Sequence, residues 1–226
     1  MAKLEAFPMT GGSGRYRYTR NSTLQRKVIE STKELIKKAI FEELEITSFS
    51  SSNTFRVADL GCSVGPNTFL AVPNILDAVK LKYENKGLVS QLPEFQVLFN
   101  DHVSNDFNRL FTSLPSERAY FAVGVPGSFH GRLFPRSSLH FVYSSYALHW
   151  ISRVPKEDIG RFLNARAQEI VHGGLMAIVV PACPSGTPHA DVFINKAIEL
   201  LGCCLIDMVR MGVTSEDKVD TFNLST

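Results

Sequence analysis

Cysteine is scarce in this chain, and the four present, Cys62, Cys183, Cys203 and Cys204, form no Cys-x-x-Cys pair. The adjacent Cys203 and Cys204 are a poor basis for a disulfide framework, so a reduced, intracellular chain is expected. No apolar run approaches the ~20 residues of a membrane span, and the opening Met-Ala-Lys-Leu-Glu-Ala-Phe-Pro lacks a signal core. The expectation is a cytoplasmic protein with no membrane association. Charge of one sign is lacking as well. Lys and Arg total 24 against 22 Asp and Glu, and the net +2 sets up no general field for a polyanion. The run Arg15-Tyr16-Arg17-Tyr18-Thr19-Arg20 interleaves cations with rings. So short a patch beside a helix start reads as local packing and solvated charge, and no nucleic-acid partner is expected. Internal repeats and low-complexity blocks are missing, and 226 residues with 44% apolar content suffice for one sizeable core, hence a single domain over 1–226.

Two phosphate-binding patterns are absent too. There is no Gly-x-Gly-x-x-Gly, which disfavours a dinucleotide pyrophosphate and a nicotinamide-dependent oxidoreductase, and no Lys-Ser/Thr pair of a P-loop. What stands in their place is Phe55-Arg56-Val57-Ala58-Asp59-Leu60-Gly61-Cys62-Ser63-Val64-Gly65-Pro66-Asn67. It reads as a buried strand running into a glycine turn, with Pro66 opening a helix. Gly61 and Gly65 carry no Cβ, so backbone there can approach a ligand closely; tight packing of a helix on a sheet gives the same spacing. Asp59 would repel phosphate and could receive an ammonium or sulfonium group. The sign of the charge points towards S-adenosylmethionine.

The remaining chain alternates. Apolar Leu24, Val28, Leu35, Ile36, Ala39, Ile40 and Leu44 recur at helical spacing after a cap at Asn21 or Ser22. Gln25 lies near that helix's first turn, where an amide can donate to an anion; an exposed glutamine is the alternative. A helix over about 66–84 should kink or split at Pro73. Strands are expected over 95–101, 119–123, 139–143 and 175–180. Further helices are expected near 105–114, from Pro155 to Gly173-Gly174, and over 189–210, with Ile194, Ala197, Ile198, Leu201, Leu205 and Met208 inward. Asp101, at the end of the second strand, suits the paired acceptors that two ribose hydroxyls require, or is a turn or capping aspartate. The loop 124–131 could set Phe129 over a flat base. Tyr146, His149 and Trp150, the single tryptophan, cluster at the end of the fourth strand, where open α/β sheets bind ligands. Alternating strands and helices imply an α/β fold, a mostly parallel sheet with helices on both faces.

In these residues the chain resembles the SABATH family of plant methyltransferases, named for salicylate, benzoate and theobromine enzymes. Blocks match in order: Gly11-Gly-Ser-Gly14, Tyr18, Asn21-Ser22 and Gln25; Asp59 to Asn67; Asn100-Asp101 with Asn105 to Asn108; Gly124 to Pro135; and Ser144-Ser-Tyr-Ala-Leu-His-Trp150. The resemblance implies a Rossmann-like methyltransferase core with a helical cap, S-adenosylmethionine as cofactor, and a small carboxylic acid or xanthine-type nitrogen as acceptor. It divides the domain into a substrate-lining segment 1–50, a donor-binding core 55–182 and a partial cap 188–226. By position, Tyr18, Asp59, Cys62, Asn67, Asp101, His102, Ser128, Phe129 and Ser145 would hold the donor, with Asp101 on ribose and Phe129 beside adenine. Gln25, Tyr146, His149 and Trp150 would line the acceptor pocket. His102 stands where the family commonly has leucine.

A carboxylic acid is already ionised at pH 7, so methyl transfer to it needs alignment and dehydration rather than a general base. Gln25 and Trp150, as neutral donors, would orient the carboxylate. Two departures qualify the match. Little separates Val154-Pro155 from Arg161-Phe162, where relatives carry an insertion, and the chain stops where relatives continue through more cap and the last strands. Asp220, Phe222 and Asn223 match a peripheral metal-binding segment whose partner ligand falls in that insertion, so no metal is expected. Without further strands the fifth would be a bare edge, to be covered by a homodimer partner or a full-length relative. The alternative function is a shortened, non-catalytic protein that binds the donor or pairs with such a relative.

Overall fold

The computed structural model describes residues 14–15, 18–49, 52–148, 155–183 and 185–220. Contacts divide them into two compact units, one running to residue 148 and including 155–180, the other beginning at 181.

The first unit is a five-stranded sheet in the order β3-β2-β1-β4-β5, every pair parallel. Its strands are β1 (Thr54–Leu60), β2 (Glu94–Asp101), β3 (Phe121–Pro126), β4 (Leu139–Ser145) and β5 (Ile170–Val179). β1 lies in the middle because Val57, Ala58 and Leu60 are apolar on both faces, the pattern of a strand covered on each side. On one face, Phe55, Val57, Phe95, Val97, Phe99 and Phe141 pack with residues of α2 (Thr23–Glu43), α3 (Thr68–Asn85) and α4 (Phe107–Thr112). On the other, Ala58, Leu60, Leu139 and Val142 meet Phe162 of α5 (Pro155–Glu169). Helices thus cover both faces, as the alternating pattern predicts. A short α1 (Tyr18–Asn21) precedes α2.

Buried Lys82 of α3 ties α2 to its neighbour, its Nζ donating to the carbonyls of Ile40 (2.9 Å), Phe41 (3.0 Å) and Leu44. These carbonyls lie at the end of α2, where the helix's own donors run out; Ile40 keeps its bond from the Leu44 N–H (3.3 Å) and shares its oxygen with the lysine.

Several boundaries differ from the sequence expectation. α3 starts at Thr68, with Asn67 at its cap, so Pro66 belongs to the turn, and the Gly65–Pro66 bond is cis. Pro73 neither splits nor ends the helix, because early in α3 it withdraws only one donor from the ladder. α5 stops at Glu169, and β5 takes over at Ile170, so Gly173-Gly174 lies inside a strand and not at a helix end. Gly173 has φ +76°, and a Cβ there would stand 2.7 Å from Glu45 Cβ. The β4–β5 register shifts at Leu139/Phe141, so the glycine pair serves an irregularity of the sheet.

The second unit holds α6 (Phe193–Arg210) and α7 (Glu216–Asp220). Among the inward positions expected of α6, Ile198, Leu205 and Met208 are half-buried, whereas Ala197 and Leu201 are exposed. No described helix is long and apolar enough to cross a membrane.

Candidate functional site

The site gathers at the carboxyl ends of β1, β2, β3 and β4. At the end of β1 the chain turns through Gly61 (φ +82°), Ser63 (φ +55°) and Gly65 (φ +74°). A left-handed serine is strained, and such strain persists only where the surroundings over-determine it. Here the turn is held from three sides. The Gly61 and Cys62 N–H groups both donate to the Asn100 carbonyl (2.9 and 3.0 Å), the Ser63 N–H donates to Asp101 Oδ2 (2.7 Å), and Asn105 Nδ2 donates to the Ser63 carbonyl (2.9 Å).

The two glycines are required for a reason that spacing alone does not show. A Cβ on Gly61 would lie 2.2 Å from Ala147 Cβ and 3.8 Å from Phe129 Cε1, and one on Gly65 would meet the Phe69 ring at 2.5 Å. Protein fills both places. Glycine here lets the 144–148 segment and Phe129 close on the turn, bringing Phe129 to the edge of the cradle.

Two carboxyl groups line the cradle, Asp59 buried and Asp101 half-buried. Asp59, 3% exposed, accepts the Thr68 hydroxyl, and burial pushes its pKa up to about 7, with Thr68 opposing and Asp101 adding to the rise. Asp101 also titrates above the usual carboxylate range, chiefly through burial, although the Ser63 and His102 amides (2.7 Å each) favour its charged form. Neither has a Lys or Arg partner among the described residues. Burial and the charges of Asp59 and Asp101 hold the Cys62 thiol well above its ordinary pKa, so it is a neutral wall and not a nucleophile.

The N-terminal segment reaches the cradle through buried Asn67, whose Nδ2 donates to Tyr18 Oη (3.1 Å) and to the Ser22 carbonyl (3.3 Å). Burial leads the upward shift of the Tyr18 phenol, and the Asn67 contact opposes it. Gln25 lies in the first turn of α2, with its Oε1 buried and without a hydrogen-bond partner among the described residues. His102 follows Asp101, its Nδ1 2.7 Å from Ser104 Oγ. Ser128 is exposed in the loop after β3, while Ser145 ends β4. Tyr146 follows in the left-handed region (φ +54°), its N–H donating to the Val179 carbonyl (2.9 Å).

Tyr18, Asp59, Cys62, Asn67, Asp101 and Phe129 thus converge on one turn. His149 and Trp150 lie outside the described residues, as do Gly11–Ser13 and residues 221–226 of the metal-segment match. Sequence reasoning gave no role to Thr68, Ala147 or the amides of Asn100 and Asn105. Asn100 is fully buried and donates to the Val125 (2.7 Å) and Gly127 (2.9 Å) carbonyls, joining the cradle to the loop after β3. The Asn100-Asp101…Asn105 block carried a signal for them, but their partners are backbone atoms that spacing does not reveal.

Comparison with known proteins follows the same lines. The profile of the SAM dependent carboxyl methyltransferase family matches residues 4–158 and 156–226. The chain is 43% identical to a loganic acid O-methyltransferase of Catharanthus roseus, over 98% of this chain and 69% of the relative. It is 39% identical to a farnesoic acid carboxyl-O-methyltransferase of Arabidopsis thaliana, over 97% of this chain and 71% of that one. A solved structure of a loganic acid methyltransferase with SAH superposes with a TM-score of 0.89 at 42% identity, covering 96% of this chain and 71% of that chain.

Proposed function

Since the chain belongs to the S-adenosylmethionine-dependent carboxyl methyltransferase family, we propose that it methylates the carboxylate of a small plant metabolite by in-line displacement without a general base. The observation that carries this reading is the pair of converging carboxyl groups, buried Asp59 and half-buried Asp101, neither matched by a Lys or Arg among the described residues. Such groups are costly unless a ligand supplies the missing partner. Asp59 suits the cationic amino end of the donor, Asp101 the two ribose hydroxyls, and the Phe129 ring the adenine face, so the residues present fit the group.

S-adenosylmethionine supplies a methyl group on a sulfonium, an electrophile that a carboxylate oxygen displaces directly. The protein's own part is to place and dehydrate that carboxylate. Gln25 sits on a helix whose start Asn67 ties to the cradle, and its amide offers a neutral donor to the acceptor. Trp150, His149 and Tyr146 complete the acceptor side in this reading. An acid with a pKa near ~4 is ionised at neutral pH, so no residue has to remove a proton.

Calorimetry of the chain with S-adenosylmethionine, followed by methyl transfer to a panel beginning with loganic and farnesoic acids, tests the proposal. Gln25→Ala is expected to slow transfer about tenfold or more, with donor affinity within about twofold of wild type. Donor binding without turnover on any acid would favour a non-catalytic donor-binding protein, and turnover on xanthines alone would move the acceptor from oxygen to nitrogen. No binding by folded protein would overturn the site.

A further inference from the structure

Behind the cradle, on the opposite side of the loop after β3, lies a fully buried ion pair that the methyl-transfer chemistry does not use. Arg166 and Glu169, both near the end of α5, have 0% side-chain exposure. Arg166 Nε donates to Glu169 Oε2 (2.8 Å), and the guanidinium spends its remaining reach on loop backbone, Nη1 donating to the Phe129 carbonyl (2.8 Å) and Nη2 to the Gly131 carbonyl (3.0 Å). Glu169 completes the arrangement with its other oxygen, Oε1 accepting from the N–H groups of Leu133 (2.6 Å) and Phe134 (2.9 Å). The aromatic ring of the loop is held from the same helix. Phe162 stands edge-on to Phe129 at 6.1 Å and 88°, and the Arg166 guanidinium lies 5.2 Å from the Phe162 ring centroid.

A buried pair is a poor source of stability by itself, since desolvating two ions offsets much of their attraction. What this one does is satisfy two carbonyls and two N–H groups of a single loop at once. Phe129 is therefore fixed by its backbone oxygen and by its ring. The loop's far side is fixed to the β2 end by Asn100 and by the Gly127 N–H, which donates to the Asp101 carbonyl (2.9 Å).

We propose that Arg166 and Glu169 are positioning residues for the adenine side of the donor site: they hold the 129–134 loop from behind so that Phe129 meets the cradle at Gly61. The inference rests on the donor-site reading given above, and the two are separable by experiment. SAH is titrated calorimetrically into the full chain carrying Arg166→Lys, Glu169→Gln or Phe129→Ala, and Arg166→Lys with Phe129→Ala. Lysine cannot serve both loop carbonyls and Glu169, and glutamine turns a donor towards the guanidinium. Each α5 variant is expected to weaken SAH about tenfold at unchanged stoichiometry. The double variant should bind within about twofold of Phe129→Ala alone, because both changes remove the same contact.

An unchanged dissociation constant in Arg166→Lys beside a weakened Phe129→Ala would overturn the proposal and leave the donor site standing. No effect of Phe129→Ala would instead overturn the donor-site reading. Reduced stoichiometry at unchanged affinity would mean loss of folded protein and no positioning role. Should both α5 variants fail to fold, hydrogen exchange of the wild type decides. SAH is expected to slow exchange of the Leu133 and Phe134 amides; slowing confined to 61–67 would refute the idea.

Discussion

In the proposed donor site, Asp59 is the residue whose protonation a cationic ligand group would change. Its pKa of about 7 in the free protein means that it carries a proton through most of the acid range, whereas the unfolded chain loses that proton near the ordinary value of 3.8. The folded value is raised, so its stabilising contribution is present below pH 4 and is lost as pH rises through about 7. A cationic amino group beside it reverses the preference, because the ionised form is the one that attracts. Donor affinity should then fall about tenfold between pH 8 and pH 6, with proton release on binding at the lower pH. Asp59→Asn should bind more weakly at pH 8 and lose the slope. Calorimetry in two buffers of different ionisation enthalpy reads both, and a wild-type affinity flat across this range would separate Asp59 from the donor's charge.

His140 acts at the scale of the element, because its ring occupies a place in the β1–β4 ladder. Backbone pairing of these strands covers Val57 to Asp59 against Phe141 to Tyr143, and just below it the Arg56 N–H donates to His140 Nδ1 (3.0 Å) where β4 shifts register. The ring is enclosed by Phe55, stacked at 5.0 Å, and Phe49, edge-on at 4.9 Å. Burial first and the Arg56 charge second depress its pKa from 6.5 to about 4. A ring accepting at Nδ1 has to stay neutral there. Stability is therefore complete above pH 6.5 and is lost as pH falls towards 4, by about 2 kcal/mol between pH 7 and pH 5. Asp59 works in the opposite direction over this window, so the informative comparison is with His140→Asn, which keeps an acceptor and does not titrate. Urea midpoints should fall more steeply with acid in wild type than in the variant, and parallel slopes would rule the ring out. None of this was legible in the sequence, where residues 139–143 read simply as a strand. Apolar alternation reports which residues are buried but not which backbone donor a side chain replaces, and for the same reason Gly173-Gly174 passed for a helix stop.

At the scale of the whole molecule, the order of strands and helices was readable because each strand is a short apolar run bounded by turn residues, and parallel connection rules leave few topologies. That Asp59, Asp101 and Phe129 come together was readable too, because the first two close parallel strands and the third lies in the loop that follows another, all at one end of the sheet. The clamp of Arg166 and Glu169 was not, since it joins a helix end to a loop some 35 residues earlier. The same topology leaves β5 hydrogen-bonded to β4 alone among the described strands, with the N–H and C=O groups of its other side outside the sheet. An edge of this kind is a template for association, and a second copy of the chain is the partner we propose for it. Hydrogen exchange tests this without a mutation. In dilute protein, alternate amides across 170–179 should exchange quickly while those of β1 stay protected. Raising the protein concentration about a hundredfold should slow the fast set by mass action, with a matching rise in sedimentation mass. Slow exchange along all of β5 at every concentration would mean that the chain covers this edge itself, and the second copy would then have no edge to pair with.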